Sequence, residues 1–152
     1  MHNRKFILFS TLFVLILVGG SIAAYLYTSP SNQAKNTVET FYDFEKEGNF
    51  SSSWKLFHPY MKERFDKGHY IQDRAHVFMN HFGVETFTYT LKSGVEKISS
   101  WKPDKEAEAI GPVYAVTVVQ TFKGKYGHFS IQQKVFVKKE KKEWTILWDY
   151  NK

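Results

Sequence analysis

Val84-Glu85-Thr86-Phe87-Thr88-Tyr89-Thr90-Leu91 is where the sequence changes period. Upstream, apolar residues recur every three to four positions. Within this stretch threonines alternate with Phe, Tyr and Leu, the pattern of a half-buried strand of β-branched and aromatic residues. The alternation persists downstream. Ser93-Gly94 reads as a turn, Val95–Trp101 as a second strand, and the charged Lys102–Ile110 as a loop. Gly111-Pro112 leads into a long strand over Val113–Phe122 (VYAVTVVQTF), and Gly124 and Gly127 frame a hairpin turn. A fourth strand, Phe129–Lys138, carries Phe129, Ile131, Val135 and Val137 on one face. After the charged turn Lys138–Glu143 (KKEKKE) comes Trp144–Tyr150 (WTILWDY). There Trp144, Ile146, Trp148 and Tyr150 point one way, and Thr145, Leu147 and Asp149 the other.

Backwards from Val84, Gly83 ends a helix predicted over His69–Phe82, with Ile71, Ala75, Phe78 and Phe82 as its buried stripe. Gly68 and Pro59 punctuate shorter helical pieces around Trp54–Phe57 and Tyr60–Asp66, and Ser51–Ser53 offer caps. A longer helix is predicted over Ala34–Lys46, with Ala34, Val38, Phe41, Tyr42 and Glu45 near helical spacing. Ser31 or Asn32 would cap it and Gly48 stop it. Helices first and an antiparallel meander after predict an α+β domain, its N-terminal helices packed in a strongly curved sheet.

The N-terminus has another character. Residues 1–5 form a basic end with Arg4 and Lys5, and Phe6–Tyr27 contains no charge. A bilayer core takes roughly 20 apolar residues in a helix, and positive charge stays on the cytoplasmic side. Residues 6–27 are therefore expected to be a signal anchor, residues 28–33 (TSPSNQ) a linker, and residues 34–152 one extracytoplasmic domain at the cell membrane. The rival reading is a signal peptide cleaved near Ser21-Ile22-Ala23, which would leave a secreted domain. With no cysteine, such a domain relies on its core alone. Of 21 basic residues, 19 lie beyond Arg4 and Lys5, against 15 acidic ones. The net +4 suits an anionic lipid or wall polymer and is too weak to argue for nucleic acid.

Four stretches resemble a known family: Glu47–Phe50, Asn80–Val84, Val116–Gly124 (VTVVQTFKG) and Val135–Asp149. The order of elements is similar to the nuclear transport factor-2-like fold, a cone of curved sheet closed by helices. The four stretches resemble the N-terminal domain of the low-affinity penicillin-binding proteins. The resemblance implies a non-catalytic accessory or interaction domain of a Gram-positive envelope, with another envelope protein as partner. Because the sequence stops at Lys152, no transpeptidase domain is expected after it.

Candidate chemistry is sparse. Ser52-Ser53-Trp54-Lys55 and Lys92-Ser93-Gly94 match penicillin-binding-protein patterns, but no Ser-x-Asn lies between them, and Ser52 reads better as part of a helix cap. His69, Asp73 and His76 share one helical face at a spacing that could ligate zinc, although a polar outer face is the preferred reading. Neither a metal nor a cofactor is expected. Aromatics make up 18% of the chain, enough to line a pocket as well as fill a core. Tyr42, Trp54, Trp101, Tyr114 and Trp148 would line such a pocket, with His76 or Asp149 as its polar group. That gives an alternative function, binding a small apolar or peptide ligand. Its minor branch is an isomerase- or dehydratase-like enzyme, in which a pocket Asp or His acts as base. A third alternative is a component of a secretion or conjugation apparatus.

Overall fold

The computed structural model describes residues 2–77, 83–84 and 86–151. Its helices are α1 (His2–Thr28), α2 (Pro30–Lys46), α3 (Phe50–Lys55), α4 (Pro59–Arg64) and α5 (Lys67–His76). The strands follow as β1 (Phe87–Leu91), β2 (Glu96–Ile98), β3 (Val113–Gly124), β4 (Gly127–Glu140) and β5 (Glu143–Trp148). The architecture is α+β, helices followed by a curved antiparallel sheet in the order β1-β3-β4-β5, with β2 also pairing β3.

Several boundaries differ from expectation for local reasons. Residues 28–33 are helical apart from Ser29, whose extended ψ of 141° is what a residue before proline prefers. Pro30 then starts α2, where its missing N–H costs nothing, and the Ser29 side chain caps it by accepting from Asn32 N–H. Asn49, rather than Ser52, caps α3, and His58 caps α4 ahead of Pro59. Residues 78–82, on which Phe78, Phe82 and most of the expected helix-to-strand junction fall, lie outside the described residues. On α5 the buried residue is Tyr70, while Ile71 and Ala75 are half-buried.

Register fixes the two faces of the sheet. Tyr114 pairs with Val137 and Val137 with Ile146; Val116 pairs with Val135 and Val135 with Trp148. These residues face the helices, where Phe57 is the meeting point. Its ring lies 5.3 Å from Phe41 of α2, 5.2 Å from Tyr70 of α5 and 4.9 Å from Trp148 of β5. The backbone joins the same place: Ile146 N–H donates to Leu56 C=O and His58 N–H to Ile146 C=O. The Leu56–His58 segment thus covers part of the outer edge of β5, which would otherwise offer unpaired backbone groups.

Ala115, Phe136 and Leu147 face the other way and are also buried. The loop between β2 and β3 covers them. Trp101 stacks on Phe136 at 4.0 Å and bridges back to Ile110 through two backbone hydrogen bonds. Gly111 permits this path, since a Cβ there would sit 2.0 Å from Ser99 C=O.

Helix α1 carries exposed apolar side chains along its length, among them Phe9 at 73% and Leu15 at 68%. Among the described residues, no helix is long and apolar enough to cross a membrane.

Phe57→Ala removes a fully buried ring from the contact between α2, α5 and β5. It should lower unfolding stability by about 3–5 kcal/mol, read from urea titrations followed by tryptophan emission. A loss below 1 kcal/mol would show that these layers do not depend on Phe57.

Candidate functional site

The seven residues expected to line one pocket are spread over the molecule. Tyr42 is buried under α2, its ring near Phe41, Phe87 and Tyr89. Trp148 packs among Phe41, Phe57 and Phe65, and Tyr114 lies edge-on to Trp144. These three share the helix-facing side of the sheet. Trp101 is on the opposite side, separated from them by the sheet. Trp54 of α3 is half-buried at the edge of the core, donating Nε1–H to Phe65 C=O with Lys62 and Lys67 over its ring. His76 and Asp149 are exposed. Asp149 accepts from Asn151 rather than reaching inward.

His69 and Asp73 are exposed with His76 on α5, where His69 neighbours Asp66 at 3.9 Å. Among the described residues no three His, Cys, Asp or Glu side chains gather as a metal site would require.

The strongest electrostatic feature was not singled out by motif. The Glu45 carboxylate has no solvent exposure and accepts from Tyr70 Oη at 2.6 Å, from Arg74 Nε at 2.7 Å, and from Arg74 Nη2 and Ser53 Oγ. The paired Arg74 donors make a two-pronged, charge-assisted contact. This hub joins α2, α3 and α5. Burial, and then the Glu45 charge, push the Tyr70 phenol well above its ordinary value, so Tyr70 remains a donor. These contacts fasten the three helices to one another. Two other buried nitrogens, Gln120 Nε2 and Trp148 Nε1, have no hydrogen-bond partner among the described residues.

His58 is half-buried, and both its nitrogens are in use. Nδ1 accepts from Tyr60 N–H at 3.1 Å, which puts the proton on Nε2, 3.2 Å from Glu140 Oε1. Lys138 also reaches Glu140, at 2.7 Å. Burial holds His58 below its ordinary value in spite of Glu140, while the Lys138 and His58 hydrogen bonds hold Glu140 low.

The surface among the described residues also carries grooves. One, about 420 Å³, lies between Arg64, Asp104 and Tyr150. The Arg64 guanidinium stacks 3.8 Å from the Tyr150 ring and contacts Asp104 at 3.3 Å, so it is already neutralised. Burial pushes the Tyr150 phenol up to about 12. A second groove, about 500 Å³, runs between α2 and β5 past Asn36, Thr40, Lys55, Glu143 and Trp144. Beside it a third, about 380 Å³, is lined by Tyr27, Thr28, Gln33, Asn36 and Trp144. Trp144 donates Nε1–H to Gln33 Oε1 at 2.7 Å, tying the base of the β4–β5 hairpin to the start of α2. The sheet also has an open margin. β5 pairs only with Val135–Glu140, so Ser130–Lys134 of β4 are paired on the β3 side alone among the described residues.

Compared with known proteins, no family profile matches this chain and no curated sequence does.

Arg74→Met strands the Glu45 charge in the core and should cost about 3–5 kcal/mol. Adding Glu45→Gln should recover part of that loss, because the amide still accepts from Tyr70 and Ser53. Strict additivity in a denaturation cycle would refute the coupling. The pH response is separable. Because folded His58 sits below its ordinary 6.5, the unfolded chain binds the proton first. Stability should be complete above pH 6.5 and fall as pH drops below it, until folded His58 itself protonates. His58→Gln should flatten the change in urea midpoint between pH 7.5 and 5.5; an unchanged slope would assign it to other groups.

Proposed function

We propose that this chain is a non-catalytic interaction domain of a bacterial cell envelope, anchored by α1 and exposed outside the membrane. The observation that carries the reading is α1 itself. It is a 27-residue helix whose described side chains from Ile7 to Ile22 carry no charge, and whose large apolar groups are exposed along its length. Apolar surface of that extent on a rod asks for a lipid environment. Arg4 and Lys5 at its start favour keeping that end inside. The domain then lies on the outer side, where a fold without cysteine is unaffected by oxidising conditions.

Helices followed by a curved antiparallel sheet support a nuclear transport factor-2-like arrangement related to the stalk domains of Gram-positive penicillin-binding proteins. The open margin of β4 supports the interaction role, since an extended segment of a partner can add there as a further strand. Its exposed side chains, including Gln132 and Lys134, are polar enough to stay soluble until used. The pocket alternative has less behind it, because its expected lining residues lie on both sides of the sheet and on the surface.

Two measurements test this. Expressed in a Gram-positive host, the chain should float with membranes after carbonate extraction, and its domain should be protease-accessible in protoplasts. A photocrosslinker at Gln132 should capture an envelope protein, whereas one at Lys105 should not. A chain washed off by carbonate, or equal capture from both positions, would defeat the reading.

A further inference from the structure

The β4–β5 turn lies at the same end of the domain as α1, and that position gives its lysines a role. β5 runs alongside α2: Trp148 meets Phe41 with ring centroids 6.0 Å apart, and Trp144 reaches Gln33, two turns nearer the start of α2. Past Trp144 the hairpin closes through Lys141 and Lys142, with Glu140 opposite Glu143. A strand advances roughly 3.3 Å per residue, so this turn, two residues on, extends at most roughly 7 Å beyond Trp144. From Gln33 the chain runs back through the first turn of α2 and Ser29 to Thr28, whose carbonyl accepts from the Gln33 side chain. The turn therefore projects from Trp144 toward the end of the domain that carries α1. Tyr27 and Thr28 at the end of α1 line one groove together with Gln33 and Trp144.

Basic charge predominates at this level, against the one exposed carboxylate of Glu143. Lys139, Lys141 and Lys142 are exposed. Glu140, which would offset them, is occupied by Lys138 and His58. Lys55 lines the adjoining groove, and Lys62 donates to its carbonyl, so the basic surface continues onto α3 and α4. Tyr25 and Tyr27, exposed at 75% and 73%, and the half-buried Trp144 complete a band of amphipathic aromatics. Such rings favour the boundary between hydrocarbon and headgroups.

Resting on the anchored reading above, we propose that the β4–β5 hairpin is a foot that docks on anionic phospholipid headgroups of the bilayer holding α1. It fixes the tilt of the domain over the membrane. Lys139, Lys141 and Lys142 supply the attraction, Trp144 the interfacial contact, and the Trp144–Gln33 hydrogen bond transmits the docked position to α2.

The test uses the full chain in nanodiscs of phosphatidylcholine alone or with phosphatidylglycerol. The chain has no cysteine, so Glu143→Cys takes a single fluorophore, quenched by headgroup-labelled nitroxide lipid. Quenching should be stronger in the anionic discs and fall toward the neutral level in high salt. In a Lys139→Gln/Lys141→Asn/Lys142→Gln background, the docked-to-undocked ratio should drop roughly fivefold per lysine. Asn at position 141 suits the positive φ of 53° there, so the turn itself is kept. Equal quenching in both lipids, or no effect of removing the lysines, would overturn the foot. So would a signal reproduced in neutral discs by inorganic phosphate, which would indicate a free-anion site. A chain that fails to float with vesicles overturns both the anchor and the foot; one that floats with a silent probe overturns only the foot.

Discussion

One buried carboxylate sets the terms for the helical layer. Glu45 lies on α2 without solvent, and its charge is matched by donors from α3 and α5. Neither α3 nor α4 exceeds six residues, and α5 has ten among the described residues, lengths that do not hold as isolated helices. No disulfide is available to fasten them. The layer therefore depends on side chains shared between elements: Glu45 among α2, α3 and α5, and Phe57 between those helices and β5. A buried ion pair of this kind adds little net stability over an apolar contact, but removing one partner is severe. What it supplies here is registry, because only one rotation of α5 brings both Tyr70 and Arg74 to the same carboxylate.

Much of the sheet was legible in the sequence, because a period of two over β1, β3, β4 and β5 admits few other readings. Phe129, Ile131, Val135 and Val137 share one face, as the alternation implies, although Ile131 stays exposed. Where the reading strayed, the cause lay outside the local pattern. The buried face of α5 includes Arg74, a residue that periodicity assigns to solvent, because its neutraliser is 29 positions away. Ser31 and Asn32 are reasonable caps, but Pro30 favours the first helical position and moves the cap to Ser29. The grouping of aromatics by type overlooked side: Trp101 belongs to a loop folded over the outer face, where it shields Phe136. That loop also explains why Val113–Val116 are buried without alternation.

The two margins of the sheet are treated differently. The β5 side is partly closed by Leu56–His58, which carries the backbone hydrogen bonds that hold α3 and α4 to the strand. Further along, β4 outlasts β5 and leaves part of its length paired on one side. Beyond it, the β3–β4 turn presents Tyr126, 90% exposed with Lys125 over its ring. Exposed backbone and an exposed ring thus lie at one end of β4, and the lysine turn beside α1 lies at the other.

The interruption between α1 and α2 is a single residue, Ser29, and Gln33 reaches back across it to the Thr28 carbonyl. A joint that short has little slack. For a domain anchored as proposed, it removes most of the volume that a flexible tether would let the domain explore. Encounters become two-dimensional and confined to one height above the lipid. A partner free in the surrounding medium gains nothing from that restriction. One embedded in the same bilayer, with its binding segment at the same height, meets the domain at a raised effective concentration.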